Sequence, residues 1–123
     1  MSEAYFNKVR ESAVSEMLTT IKGGRNETLN KAAYALGRHA HLGPANIDAA
    51  IFDLHAAAKS IGLNEIEIKA TIGSGFKRGG ENPKVLEDSD AVPYTASEFD
   101  RLIGRLASSE MLVRDEETRQ DKI

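Results

Sequence analysis

The chain has 123 residues, no cysteine, and 16 basic against 19 acidic side chains, which gives a formal net charge of −3. This length suits one domain with a single hydrophobic core, and the absence of cysteine excludes disulfides and thiolate metal sites. The first residues, MSEAYFNKVRES, contain no apolar signal core, and no apolar run approaches the roughly 20 residues of a membrane span, so we expect a cytoplasmic protein that does not enter a membrane.

The charge is unevenly distributed along the chain. Residues 22–80 carry eight Lys or Arg and five Asp or Glu, a balance of +3, whereas residues 1–21 carry −1 and residues 81–123 carry −5. A basic centre beside an acidic C-terminal third is compatible with an anionic ligand bound by the centre.

A pair of glycines separates the first two predicted helices. Apolar residues at helical spacing predict helix 1 over about Glu3–Thr20, and Gly23-Gly24 ends it. Asn26 is the predicted N-cap of helix 2, because its side-chain oxygen can accept an amide hydrogen of the first turn. Helix 2 ends at Gly43-Pro44. The predicted buried stripes are Phe6, Val9, Ala13 and Met17 on helix 1, and Leu29, Ala32, Ala33, Leu36 and Ala40 on helix 2.

Helices 3 and 4 follow with short connections. Helix 3 begins at Pro44 or Asn46 and ends at Gly62. Asn64 with Glu67 is a capping pair that starts helix 4, which ends at Gly79-Gly80. The predicted apolar residues are Ile47, Ala50, Ile51, Leu54, Ala58 and Ile61 on helix 3, and Ile66, Ala70, Ile72 and Phe76 on helix 4.

An acidic linker and one more helix follow this bundle of residues 1–80. The linker, residues 81–94, has two prolines and four acids. Thr95 with Glu98 starts helix 5, residues 95–113, whose apolar residues Phe99, Leu102, Ile103, Leu106 and Ala107 follow helical spacing. That face must be buried, either on the bundle or on another copy or a partner. Residues 114–123 are expected to be a flexible tail. The predicted fold is all-α, a compact bundle of about five helices with this flexible acidic C-terminal tail.

Three segments of the centre carry a resemblance to a known family. They are GGRN at residues 23–26, Ala58 with Gly62 and Leu63, and TIGSGF at residues 71–76. In this order and spacing, residues 23–83 resemble the helical domain that follows the catalytic core of bifunctional DNA primase/polymerase proteins from actinobacterial phages, prophages and plasmids. The resemblance implies a helical domain that helps to hold template DNA and nucleotide, and that joins the polymerase core to a helicase.

The resemblance does not extend to catalysis. Some twenty residues precede Gly23, too few for a polymerase core, and the one D-x-D triplet, Asp88-Ser89-Asp90, lies in the predicted linker with no strand before it. No Ser or Thr has a histidine and an acid in one local motif, and His39 and His41, two residues apart, do not face each other on a helix. We therefore expect a protein that is not an enzyme and has no metal or cofactor.

The diglycine turn is the first candidate for ligand binding. Gly23-Gly24 permits positive φ and close backbone approach, and the following helix N-terminus favours an anion. Lys22 and Arg25 add full charges, so the turn predicts a seat for a phosphate of DNA or a nucleotide. The alternative is a plain helix–helix turn in which Arg25 pairs with an acid such as Glu27 or Asp53.

Two helix faces are the second candidate. Helix 2 carries Lys31, Tyr34 and Arg38 opposite its apolar stripe, and helix 4 carries Lys69, Gly73 and Lys77 four residues apart. Basic side chains beside an aromatic ring supply the phosphate contacts and the stacking face that single-stranded nucleic acid needs. The alternative is ordinary solvated faces, with Gly73 and Gly75 allowing a close helix crossing.

The sequence therefore predicts a non-catalytic phage or mobile-element module of DNA-replication type in a bacterial host cell, with the oligomeric state open. It binds single-stranded DNA or a replication protein such as a primase or helicase. The predicted contact residues are Lys22, Gly23, Gly24, Arg25, Asn26, Lys31, Tyr34, Arg38, Lys69, Gly73, Lys77 and Arg78. The alternative is a module that binds a host or phage protein without nucleic acid. A helix-turn-helix regulator fits less well, because helix 3 has little basic charge apart from Lys59.

Overall fold

Five α-helices make up the part of the chain that this computed structural model describes, residues 2–87 and 89–108, and this part contains no strand. The helices are α1 (Ser2–Thr19), α2 (Arg25–His39), α3 (Ile47–Ser60), α4 (Glu65–Gly80) and α5 (Ala96–Ser108). Short 3₁₀ turns lie between the first three helices, at Lys22–Gly24, Ala40–Leu42 and Pro44–Asn46. The prediction of an all-α bundle is confirmed.

One apolar core receives side chains from all five helices. The stripes predicted for α1, α2 and α3 lie in it, with Val9 and Ile61 at its edge. Burying these side chains is the main source of the stability of the bundle, at about 25 cal/mol for each Å² of apolar surface removed from water. Its largest fully buried side chains are Phe6, Met17, Leu29, Leu36, Leu42, Ile47, Ile51, Leu54, Ile68, Ile72, Phe76 and Leu106.

α2 and α4 lie side by side and run in the same direction. Near their N-terminal ends Asn26 contacts Thr71, and further along Gly79 lies against the backbone of Tyr34. A Cβ at Gly79 would overlap the Tyr34 carbonyl oxygen, and a Cβ at Gly37 would overlap that of Phe76. The two backbones therefore touch, which only glycine permits at these positions.

The apolar face of α4 differs from the prediction in its first two turns. Ile66 is 70% exposed and Ala70 is exposed, whereas Ile68 is fully buried. Ile66 and Ile68 point to opposite sides of the helix, since two residues span about 200° of rotation. The prediction for Ile66 and Ala70 was wrong because close packing on α2 fixes the rotation of α4, so that Ile68 and Ile72 face the core.

Three helix boundaries are set by local signals, as predicted. Gly62 has φ +102°, and the amide of Leu63 donates to the Ala58 carbonyl at 3.2 Å, which closes α3 in a Schellman motif. The Asn64 side chain accepts from the Glu67 amide at 2.8 Å and caps α4. Thr95 and Glu98 exchange side-chain-to-backbone hydrogen bonds at the start of α5.

α5 packs back onto the bundle of its own chain. The Phe99 ring stacks on Phe76, with 5.3 Å between ring centroids, and Leu106 is fully buried. Arg105 also pairs with Asp48 of α3 at 3.0 Å. The predicted extension of helix 5 over residues 109–113 and the predicted tail lie outside the described residues.

Candidate nucleic-acid interface

The diglycine turn is open to solvent and does not use the positive φ that its glycines permit. Gly24 has φ −115°, and within the described residues Gly62 is the glycine with positive φ. Residues 22–24 form a 3₁₀ turn that leads directly into α2. A Cβ at Gly23 or Gly24 would meet no atom within 4 Å, so packing within the described residues does not require glycine at this pair. Lys22, the first residue of the turn, is exposed.

Arg25 caps the C-terminal end of α3. Its guanidinium Nη1 donates to the Ile61 carbonyl at 2.7 Å, where a cation is favoured by the helix dipole. The two acids considered as partners are used elsewhere, because Glu27 faces Lys31 at 3.6 Å and Asp53 pairs with Arg10 at 2.6 Å. Arg25 is therefore engaged within the fold, although not by either ion pair that the alternative interpretation named.

Asn26 joins α2 to α4 and is not an N-cap. α2 begins at Arg25 and has no side-chain cap. The Asn26 amide nitrogen Nδ2 instead donates to Thr71 at 2.8 Å and to Glu67 at 2.9 Å. The N-cap prediction was wrong because the 3₁₀ turn starts the helix earlier and the Asn26 side chain reaches the neighbouring helix.

The three segments that carry the family resemblance meet at this end of the bundle. Arg25 of GGRN contacts the Ile61 carbonyl next to Gly62, and Asn26 contacts Thr71 of TIGSGF. Gly75 of the same segment lies against the backbone of Asn30, where a Cβ would come within 2.7 Å of the carbonyl oxygen. Each of these residues contacts a neighbouring helix, so packing within the fold accounts for them.

The predicted cations in the middle of α2 and α4 lie on different sides of the bundle. Lys31 lines a groove with residues of α1 such as Tyr5 and Lys8. Lys69 is mostly buried and pairs with Glu65 at 3.5 Å, on the side of α4 that faces α3. The other two predicted residues, Tyr34 and Gly73, are half-buried. The structure does not bring Lys31 and Lys69 onto one surface.

Glu65 lies among three basic side chains between α3 and α4. His55 Nε2 lies 2.8 Å from its Oε2, and Lys59 Nζ approaches Oε1 at 3.4 Å. Burial alone would raise the pKa of Glu65, but the hydrogen bonds and charges of His55 and Lys59 outweigh burial and hold that pKa below its usual range. The carboxylate thus neutralises part of the basic charge that the sequence places here.

The C-terminal ends of α2 and α4 bring further basic residues together. Arg38 Nε donates to the Asn82 carbonyl at 2.7 Å, and the Lys84 amide donates to the Arg38 carbonyl at 3.0 Å. Asn82 Nδ2 in turn donates to the Arg78 carbonyl at 3.2 Å. We call the four basic residues gathered here, Arg38, Lys77, Arg78 and Lys84, the basic end.

One acid is paired at the basic end, since Lys77 faces Glu81 at 3.1 Å. Arg78 is exposed and has no side-chain partner among residues 2–87 and 89–108. The basic end lies roughly 20 Å along α2 from Arg25, at 1.5 Å per residue. The predicted contact residues are therefore divided among the two opposite ends of the α2–α4 pair and the middle of each helix.

Sequence reasoning missed Lys84, which lies in the segment taken for an acidic linker. The sequence shows the charge of Lys84. Its position beside Arg38, however, depends on the hydrogen bond from the Lys84 amide to the Arg38 carbonyl, 46 residues away along the chain. No group of three His, Cys, Asp or Glu within the described ranges is placed to hold a metal ion. None of the helices described is both long and apolar enough to cross a bilayer.

Comparisons of the chain with protein-family models, with curated proteins and with solved structures give no match in any of the three.

Proposed function

We propose that this protein is a non-catalytic helical module of DNA-replication type, present in the cytoplasm of a bacterial host, that binds single-stranded DNA through the basic end. The observation that supports this proposal is the gathering of Arg38, Lys77, Arg78 and Lys84 from three segments, with one paired acid among them. The replication context rests on the resemblance of residues 23–83 to the primase/polymerase helical domain.

Electrostatics gives this proposal its physical basis. Basic side chains that reach phosphates release condensed counterions, so the affinity for single strands falls with salt by a slope of roughly 0.7 per phosphate contact. Arg78 is exposed and free to reach a phosphate. Lys77 must exchange its 3.1 Å contact with Glu81 for a phosphate, so we expect it to contribute less than Arg78.

Fluorescence anisotropy with a single-stranded oligonucleotide, measured over a series of salt concentrations, tests the proposal. Arg78→Ala combined with Lys84→Ala should weaken binding and lower the salt slope by roughly one to one and a half. Lys59→Ala is the matched control, since Lys59 is an exposed lysine beside Glu65, away from the basic end. An unchanged slope in the double variant would remove the basic end as the DNA contact.

A protein partner is the second candidate function, and a groove between α1 and α3 favours it. The groove has a volume of about 650 Å³ and is lined by Val14 and Leu18 on α1, with Arg10 and Asp53 at one side. Leu18 is 51% exposed. Co-purification from host cells, with the Leu18→Glu variant for comparison, tests this function. A protein-binding module should retain one specific protein that the variant loses, and it should not retain DNA in a salt-sensitive manner.

A further inference from the structure

A pocket opens next to the basic end, between the last turn of α4 and the first turn of α5. It has a volume of about 370 Å³, at the small end of the roughly 300–1,000 Å³ that small-molecule sites occupy. Lys77 of the basic end lines it, and so does Pro83, the residue before Lys84. The pocket therefore has the size for one small planar group and shares its rim with basic side chains.

Phe99 forms an inner wall that the fold itself holds in place. It lines the pocket but is only 5% exposed. Its ring stacks on Phe76, with 5.3 Å between ring centroids. Gly80 leaves the space for this ring, because a Cβ at Gly80 would overlap it. The wall is thus formed before any ligand arrives, which lowers the entropic cost of binding.

Tyr94 adds a second aromatic ring on a more open side of the pocket. It is half-buried, and its ring lies 6.1 Å from that of Phe99 with a tilt of 51°. Aromatic side chains that line a site are the platforms on which bases of single strands stack. Such stacking tolerates every base, so any preference among bases has to come from a polar group of the lining.

Asp100 carries the polar group that can choose among bases. It is exposed at the pocket, and its carboxylate has no partner within residues 2–87 and 89–108. The other acid of the lining, Glu81, pairs with Lys77 at 3.1 Å. An ionised carboxylate accepts hydrogen bonds through two oxygens. Guanine matches both oxygens, because its Watson–Crick edge carries two adjacent donors, N1–H and the N2 amino group.

The charges at the rim favour a nucleotide over a positively charged side chain. Aromatic rings with a carboxylate also suit an ammonium group. Lys77 lines this pocket, however, and Arg78 and Lys84 belong to the same basic end. These cations repel a basic side chain and attract the phosphate that a nucleotide brings with its base.

We propose that this pocket binds one guanine base of the single strand. Tyr94 stacks on the base, Asp100 accepts from N1–H and the N2 amino group, and the basic end holds the neighbouring phosphates. The inference rests on the proposed function for its DNA ligand and adds a base preference, which phosphate contacts alone do not provide. An unpaired carboxylate repels a strand that brings no donor to it, so Asp100 also disfavours the other bases.

Fluorescence anisotropy with oligothymidine strands that differ in one central base tests the pocket. The strand with dG should bind roughly tenfold tighter than the strand with dA or the strand of dT alone. Deoxyinosine, which lacks the N2 amino group, should lose most of this gain. Equal affinity of the wild-type chain for all four strands overturns the proposal.

Two charge-matched variants assign the preference to the pocket. Asp100→Asn should abolish the preference for dG without weakening the binding of the dT strand, because a negative charge is removed. Glu16→Gln removes one exposed carboxylate of α1 and should keep the preference. If Asp100→Asn keeps the preference as well, the pocket is not the guanine site. Asp100 is exposed, so its substitution leaves the fold intact.

The stacking role is tested at Tyr94. Tyr94→Leu should weaken binding of the dG strand by about tenfold, whereas Tyr94→Phe, which keeps the ring, should bind it as the wild-type chain does. An unchanged affinity in Tyr94→Leu contradicts stacking on this ring.

A failure of the pocket and a failure of the proposed function give different results. Arg78→Ala combined with Lys84→Ala should weaken all strands equally and keep the preference for dG. Loss of affinity in this variant, with no preference for dG in the wild-type chain, overturns the pocket and leaves the basic end as the DNA contact.

If no strand binds, the proposed function fails and an NMR titration with deoxyguanosine monophosphate decides on the pocket. The amides of Gly80 and Asp100 should shift with this nucleotide and not with thymidine monophosphate. Absence of these shifts overturns the inference.

Discussion

The two ends of the parallel α2–α4 pair use the same kinds of residue for different purposes. At the N-terminal end, Arg25 and Asn26 are engaged with Ile61 and Thr71 of neighbouring helices. At the C-terminal end, Arg78 is exposed and Arg38 donates to the Asn82 carbonyl in the segment that follows α4. The difference arises because α3 ends beside the start of α2 and offers a free carbonyl there. Whether a basic side chain is free to bind a ligand therefore depends on whether a helix end beside it offers a carbonyl oxygen.

The largest effect is expected where α2 and α4 touch, because the two backbones leave no room for a side chain there. Gly79→Ala would place a Cβ on the Tyr34 carbonyl and should destabilise the chain by about 2–3 kcal/mol through overpacking. The free energy of unfolding from urea titration measures it. Gly23→Ala, which meets no atom within 4 Å, is the control and should change stability by less than about 0.5 kcal/mol. Equal effects at the two glycines would contradict the close crossing.

Arg25 tests the structural role assigned to the N-terminal end. Arg25→Ala leaves the Ile61 carbonyl without its charged donor and should cost about 1–3 kcal/mol of stability, with little change in affinity for single-stranded DNA. Lys22→Ala, an exposed cation three residues away, should leave stability within about 0.5 kcal/mol. If Lys22→Ala weakens DNA binding more than Arg78→Ala does, the diglycine turn is the better anion site and the assignment of the two ends reverses.

Signals that act within a few residues were predictable from the sequence. Gly62, the Asn64–Glu67 cap and the Thr95–Glu98 pair are set by contacts within five residues, and the structure has them as predicted. The helical spacing of α1 to α3 identified their buried faces as well. Such features depend on backbone geometry and local hydrogen bonds, which residue type and spacing largely determine.

Features that depend on distant partners were not predictable. Asn26 was predicted to cap its own helix. Its actual acceptor, Thr71, lies 45 residues away in the sequence and could not be identified from local spacing. Ile66 was predicted to lie in the core. The rotation of α4 that exposes it is set by glycine contacts with α2, which the spacing on α4 alone does not show. The contact surface was drawn from spacing on single helices, which cannot show that Lys31 and Lys69 face different neighbours or that Lys84 joins Arg38. DNA binding by the basic end remains a prediction.

The smallest effect is expected in the response of the N-terminal end to acid. The pKa of Glu65 is lowered in the folded chain, so its contribution is present above the ordinary value of 4.5 and is lost as the pH falls below it. Because the carboxylate is 41% exposed, Glu65→Gln should cost only about 0.5 kcal/mol at neutral pH and nothing at about pH 3. Urea titrations at several pH values measure this, with Glu27→Gln at the exposed pair with Lys31 as the control. Loss of the Glu65 contribution already near pH 6 would contradict the lowered pKa, because a carboxyl whose pKa lies below 4.5 in the folded chain stays ionised at that pH.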